Sequence, residues 1–189
     1  YPLIFPNDGW VEIDPEDLYK SVTNTLNQLD LANVEFGGIT NQRETTIIWD
    51  KNTLKPVYNA IVWQDRRTSA YCNEIATKTN QSLIKQKTGL LIDSYFSATK
   101  IKWILDNVNG VRNRAEAGEL CFGTVDTYLM YRLSEGKIFN TDITNSSLTM
   151  LFNINSLSWD KDLLKLFDIP SSLLPEVVHS DSNFGTIEK

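Results

Sequence analysis

The sequence is poor in the side chains that hold transition metals. His179 is its one histidine, and Cys72 and Cys121 are its two cysteines. A zinc centre draws several ligands from such residues, so ligation by Cys and His is not expected. The cysteines also lie too far apart in sequence to suggest a disulfide framework. A reduced, cytoplasmic setting is expected instead. Positive charge is in deficit as well: 18 Lys and Arg face 24 Asp and Glu, for a net charge of −6. A nucleic-acid binder shows a basic face, so that class is disfavoured. No apolar run approaches the about 20 residues that a spanning helix needs, so no membrane span is expected. None of the nine glycines falls in GxxxxGK[ST] or GxGxxG, loops whose backbone amides cradle phosphates. HExxH, GxSxG and CxxC are missing too. The chain begins at Tyr1 with no signal-like apolar segment. It reads as a piece of a longer chain, truncated at both ends.

The rest is ordinary for a globular protein. The 189 residues suffice for one domain with a real core, and no linker or repeat divides 1–189. Asp14-Pro15-Glu16-Asp17 predicts a helix start: a cap, a proline at the first helical position, and acids at the positive end. Leu18, Val22, Leu26 and Leu29 then recur at helical spacing. Residues 34–40 read as a buried strand, 45–49 as a second and 57–63 as a third, with a turn at 50–53. Helices are predicted over 65–77, 81–88 and 97–107. A short strand follows at 119–122, and then a helix that Thr124 can cap. A further short strand falls at 137–140. Asp160 caps a last helix, which Pro170 stops. Strands mixed with helices in this order predict an α/β domain.

Motif and composition rules assign no chemistry to such a domain. The specific reading comes from longer runs. Gly38-Ile39-Thr40-Asn41-Gln42-Arg43-Glu44-Thr45-Thr46 resembles the polyol-contacting segment of the glycerol kinases. Asn59-Ala60-Ile61-Val62-Trp63-Gln64-Asp65-Arg66-Arg67-Thr68 resembles the next such segment, in the same order. Tyr95-Phe96-Ser97-Ala98-Thr99-Lys100-Ile101-Lys102-Trp103-Ile104-Leu105-Asp106-Asn107 is similar to a pattern shared across the wider FGGY carbohydrate kinases. Gly9-Trp10-Val11-Glu12, Phe122-Gly123-Thr124-Val125-Asp126-Thr127 and Leu174-Pro175-Glu176-Val177 add to the match, which covers essentially the whole chain.

The resemblance implies an actin-like (ribonuclease H-like) α/β domain, the N-terminal and polyol-binding one of two around a cleft. It implies ATP-dependent phosphorylation of glycerol to glycerol 3-phosphate, with Mg2+, in the full-length parent. It implies a homo-oligomeric parent as well. Arg43, Glu44, Trp63 and Tyr95 become the glycerol contacts. Their chemistry suits an uncharged triol: guanidinium donors, a carboxylate acceptor, an indole wall, and a phenol with a ring face. The phosphate loop, the catalytic carboxylate and the nucleotide-binding domain would lie outside this chain. The piece is therefore expected to hold no catalytic residue and no ATP or metal site, and to be inactive alone.

Without that context the same residues have plainer roles. Arg43-Glu44 would be a solvated pair, and Trp63 and Tyr95 packing residues. Arg66 and Arg67 are read as a solvated helix start. Asp65 is read as an acid at a helix N-terminus. Trp10, Trp103 and Trp159 are read as structural, and Asp126 and Asp142 as capping or helix-start acids. Three positions depart from the family pattern: Ser94 where proline is usual, Ala98 where glycine is common, and Leu148 where arginine is frequent. Two rivals stand beside the glycerol reading. One is a kinase for another sugar or polyol of the same superfamily. The other is a non-catalytic binding module.

Overall fold

A computed structural model describes residues 1–187. The chain runs β1 (Glu12–Ile13), α1 (Pro15–Leu26), β2 (Ile47–Asp50), β3 (Ala60–Ile61), α2 (Ser69–Ile75) and α3 (Lys78–Thr88). It continues through α4 (Ser97–Asn107), α5 (Val111–Glu116), β4 (Leu120–Gly123) and α6 (Val125–Leu133). Then come β5 (Asn140–Asp142), α7 (Ile143–Ser146), β6 (Phe152–Asn153), β7 (Ser158–Trp159), α8 (Lys161–Phe167), a 3-10 turn (Ser171–Leu173) and β8 (Glu176–Val178).

β2 pairs antiparallel with β4, placing Ile47 opposite Gly123 and Trp49 opposite Cys121. β1 pairs antiparallel with β3. A bridge joins the two pairs: Thr46 and Ile61 exchange backbone hydrogen bonds of 2.9 and 3.0 Å. β5 and β8 lie parallel, and β6 and β7 form a hairpin.

Alternation along β2 divides the core between two faces. Ile48 points with Ile61 and Phe122 towards Ile84 of α3, Ile101, Ile104 and Leu105 of α4, and Leu163 and Phe167 of α8. Ile47 and Trp49 point the other way, towards Leu18 of α1 and Val125, Tyr128 and Leu129 of α6. Full burial of each such side chain contributes about 1.5–3 kcal/mol. Helices thus cover both faces, as an α/β domain requires. Gly123 is needed at the end of β4, where a Cβ would lie 2.6 Å from the Thr127 side chain and 2.9 Å from the Trp49 ring.

Local caps work largely as the sequence predicts. The Asp14 carboxylate accepts from Glu16 N at 2.8 Å, with Pro15 opening α1. Asp160 accepts from the amides of Asp162 and Leu163. Asp142 accepts from Asn145 N at 2.7 Å and caps α7. Thr124 sits at the start of α6 but does not cap it; its hydroxyl turns to the Asp126 carboxylate instead.

Several expectations need correction. Residues 34–40 form no strand, and Val34, Phe36 and Ile39 are exposed, Phe36 by 86%. Their composition suits a sheet, but no described strand lies alongside to pair with them. α1 ends at Leu26, so Leu29 falls outside it and is exposed. The third strand shrinks to Ala60–Ile61, and the next helix begins only at Ser69, because the Asp65 carboxylate accepts from Arg67 N at 2.9 Å and closes a turn over 65–67. α3 starts at Lys78, capped by the Thr77 hydroxyl. α5 was not anticipated, and the short strand near 137–140 lies at Asn140–Asp142. Cys72 and Cys121 are both buried and free.

Candidate functional site

Glu44 stands just before β2 with φ of 64°, a left-handed conformation uncommon outside glycine. Its backbone is held from two sides. Thr46 Oγ1 donates to the Glu44 carbonyl at 3.2 Å, and Ser97 Oγ at the start of α4 donates to the same oxygen at 3.1 Å. The residue is only 3% exposed. Its carboxylate accepts no hydrogen bond from any described residue. Burial pushes its pKa up, while the charges of Arg43 and Lys100 pull the other way. Such an acceptor, unpartnered among the described residues, can take a ligand hydroxyl.

Tyr95 lies just ahead of α4. The Asp93 carboxylate accepts from its amide at 2.8 Å, which sets the turn. Its ring tilts against Trp63, with centroids 5.4 Å apart and planes at 59°, and meets Phe96 edge-on at 5.2 Å. Tyr95 remains 36% exposed. Burial raises its pKa, the Glu44 charge adds to that rise and Arg43 opposes it, so all three residues share one field. Trp63 follows β3 on the turn closed by Asp65 N donating to the Val62 carbonyl at 3.0 Å. Arg43 is exposed and forms no ion pair with any described residue. Asn41 Nδ2 donates to Asn145 Oδ1 at 3.0 Å, anchoring the loop that carries Arg43 to α7.

The four residues singled out in the sequence therefore converge from three segments. Two surface hollows lie elsewhere. One of about 210 Å³ is lined by Arg112, Leu164 and Pro170 among others, and one of about 400 Å³ surrounds Leu105 and Gly110. Neither is lined by any of the four.

The structure overturns the plain reading of Asp65 and Arg67. Only Arg66 is solvated, paired with Asp93 at 3.1 Å. The Arg67 side chain is fully buried, with Nη2 2.6 Å from Glu12 Oε1 and 2.8 Å from Asp65 Oδ2. Its guanidinium packs in the corner of two perpendicular indoles, 3.8 Å from the Trp10 centroid and 4.5 Å from that of Trp103, whose rings meet edge-on at 84°. Asp65 Oδ2 also accepts from Val11 N at 2.6 Å. Asp65 thus serves a buried network rather than a helix N-terminus. That network ties 10–12 to the turn that presents Trp63. The hint was Trp10-Val11-Glu12 itself, whose acid needed a partner.

The description that matches this chain, over residues 1–189, is the N-terminal domain of the FGGY family of carbohydrate kinases. The chain belongs to that family. It is 55% identical over 192 residues to the glycerol kinase of Borrelia hermsii, covering 98% of this chain and 39% of that protein. It is 58% identical over 179 residues to the glycerol kinase of Parabacteroides distasonis, covering 92% of this chain and 36% of that one. The chain thus spans well under half the length of these curated relatives. Among solved structures, Plasmodium falciparum glycerol kinase with ADP superposes with a TM-score of 0.90 at 37% identity, over all of this chain and 39% of that one. Ligand-bound xylulose kinase from Lactobacillus acidophilus gives 0.82 at 22% identity, covering 100% of this chain and 38% of its own, a likeness of fold alone. The fold is the actin-like α/β fold of these sugar kinases.

Proposed function

We propose that this FGGY chain, as a single domain, is the N-terminal, polyol-binding portion of a kinase that transfers the γ-phosphoryl group of ATP to glycerol. The observation that carries the reading is identity above 50% to glycerol kinases along nearly the whole chain. The site geometry agrees with it. In this reading Trp63 and Tyr95 wall the carbon chain, the Glu44 carboxylate accepts from hydroxyl protons, and Arg43 donates to hydroxyl oxygens. A neutral triol needs this mix of acceptor, donor and apolar wall, and no net charge of either sign.

The chain's share of the chemistry is positioning. Phosphoryl transfer depends mostly on placement and charge stabilisation. The nucleotide comes in as a substrate; the Plasmodium relative was crystallised with ADP. Mg2+ would accompany it, but among the described residues no three His, Cys, Asp or Glu side chains converge. No residue here is assigned to the metal, and none is assigned as catalytic base. This portion alone is proposed to be inactive. The buried, unpaired thiols of Cys72 and Cys121 fit a reducing cytoplasm. Exposed Val34, Phe36 and Ile39 fit a homo-oligomeric whole protein with surface to cover.

The test is product formation read by mass. The full-length protein and this chain are each incubated with MgATP and a panel of polyols and sugars. Glycerol 3-phosphate from the full-length protein alone is the expected result. A phosphorylated pentulose would replace glycerol as substrate. No product with any acceptor would favour a non-catalytic binding role.

A further inference from the structure

Lys100 occupies a place that stability alone would give to an apolar residue. It is 0% exposed, four residues into α4, and shares a face with buried Ile104. No carboxylate pairs with it among the described residues. A buried ammonium costs several kcal/mol unless well compensated, and the positive end of a helix is the wrong end for a cation. Burial accordingly lowers its pKa to about 7, opposed first by the charges of Asp65 and Glu44, then by Cys72 and Asp93. Proteins keep such costly arrangements mainly at functional sites.

Its contacts show what the cost secures. Lys100 Nζ donates to the carbonyl oxygens of Tyr95 and Phe96, the latter at 3.2 Å. Those carbonyls bracket the peptide that aims the Tyr95 ring at Trp63. On the same turn, Ser97 Oγ holds the Glu44 carbonyl. The start of α4 therefore grips two of the four candidate contacts at once.

We propose that Lys100 is a positioning residue for the polyol: it tethers the Tyr95 and Phe96 carbonyls, fixing the Tyr95 ring against Trp63. The proposal rests on the reading of Arg43, Glu44, Trp63 and Tyr95 as the polyol site.

The experiment compares Lys100→Met, Glu44→Ala and Tyr95→Ala in the full-length protein, with steady-state kinetics in both substrates and thermal melting. Lys100→Met is expected to raise the glycerol KM roughly tenfold to a hundredfold and to leave the ATP KM within about twofold. A purely structural lysine would lower the melting temperature and shift both constants together, or shift neither. Either pattern overturns the proposal. If Lys100→Met does not fold, Lys100→Gln, which keeps a donor, is read by the same split, with a severalfold smaller effect expected. Glu44→Ala and Tyr95→Ala separate the two layers of inference. If both leave the glycerol KM unchanged, the polyol site itself is wrong and the role of Lys100 falls with it. If both raise it while the Lys100 variants do not, the role of Lys100 alone is wrong.

Discussion

The Ser97 hydroxyl donates to the Glu44 carbonyl at 3.1 Å, and both residues are buried. This bond joins the first turn of α4 to the left-handed residue ahead of β2. Two segments far apart in sequence are thereby fixed in one place. Ser97→Ala removes the bond, but Thr46 Oγ1 still reaches the same oxygen. The expected loss of stability is therefore modest, about 1 kcal/mol, measured by urea unfolding. Glycerol binding should weaken in the same variant. A variant with parental stability and parental binding would show that the bond holds nothing in place.

Glu44→Gln should separate binding from stability. The amide loses the ionised acceptor, so glycerol binding weakens by about tenfold or more. Stability should move the other way near neutral pH. Burial raises the Glu44 pKa. A raised carboxylate favours folding below its unfolded value, and that advantage is lost as pH rises through the folded value. The parent thus bears the cost of a buried charge at neutral pH, and Gln does not. The variant should melt at or above the parent at pH 7, with the gap closing as pH falls below about 4.5. A gap that widens on acidification contradicts this.

Arg67→Met leaves the Glu12 and Asp65 carboxylates buried without their guanidinium. Breaking such a pair from one side costs about 3–5 kcal/mol. Arg67→Lys should recover little, because an ammonium lacks the planar fork that serves Glu12 and Asp65 together beside the Trp10 and Trp103 rings. Equilibrium unfolding of both variants checks this. Near-parental stability of the lysine variant would mean that charge alone suffices there.

Asp142 gives the opposite pH signature to Glu44. Burial alone would raise its pKa. Hydrogen bonds from Ser180, Thr144 and Asn145 outweigh that and bring it to about 2. The stability it adds, about 2 kcal/mol, is present above its unfolded pKa and fades as pH falls through 2. Asp142→Asn should therefore be less stable than the parent at pH 6 and converge with it near pH 2. A constant difference across that range would assign the effect to packing instead.

What could be read in the sequence was chiefly local. The Asp14-Pro15 start, the Asp160 cap and the span of α4 all depend on neighbours a few residues away, and they stand where expected. The runs around Arg43, Trp63 and Tyr95 carried the proposed site, within which the Trp63 and Tyr95 rings meet at 5.4 Å. What was missed depends on distant partners. Arg67 meets Glu12 across 55 positions, so nothing near it distinguished a buried guanidinium from the solvated Arg66 beside it. Residues 34–40 have a strand's composition, but a strand also needs a neighbour. Lys100 could have been noticed, since it lies four residues before Ile104 on the buried stripe of α4, but a charged residue there reads as surface until its carbonyl partners are seen.

The most direct test of the central claim is a crystal structure of the full-length protein soaked with glycerol, frozen in a cryoprotectant other than a polyol. Density for the triol is expected against the Trp63 and Tyr95 rings, with hydroxyls within hydrogen-bond distance of the Glu44 carboxylate and the Arg43 guanidinium. Glycerol ordered elsewhere, with these four side chains untouched, would contradict it.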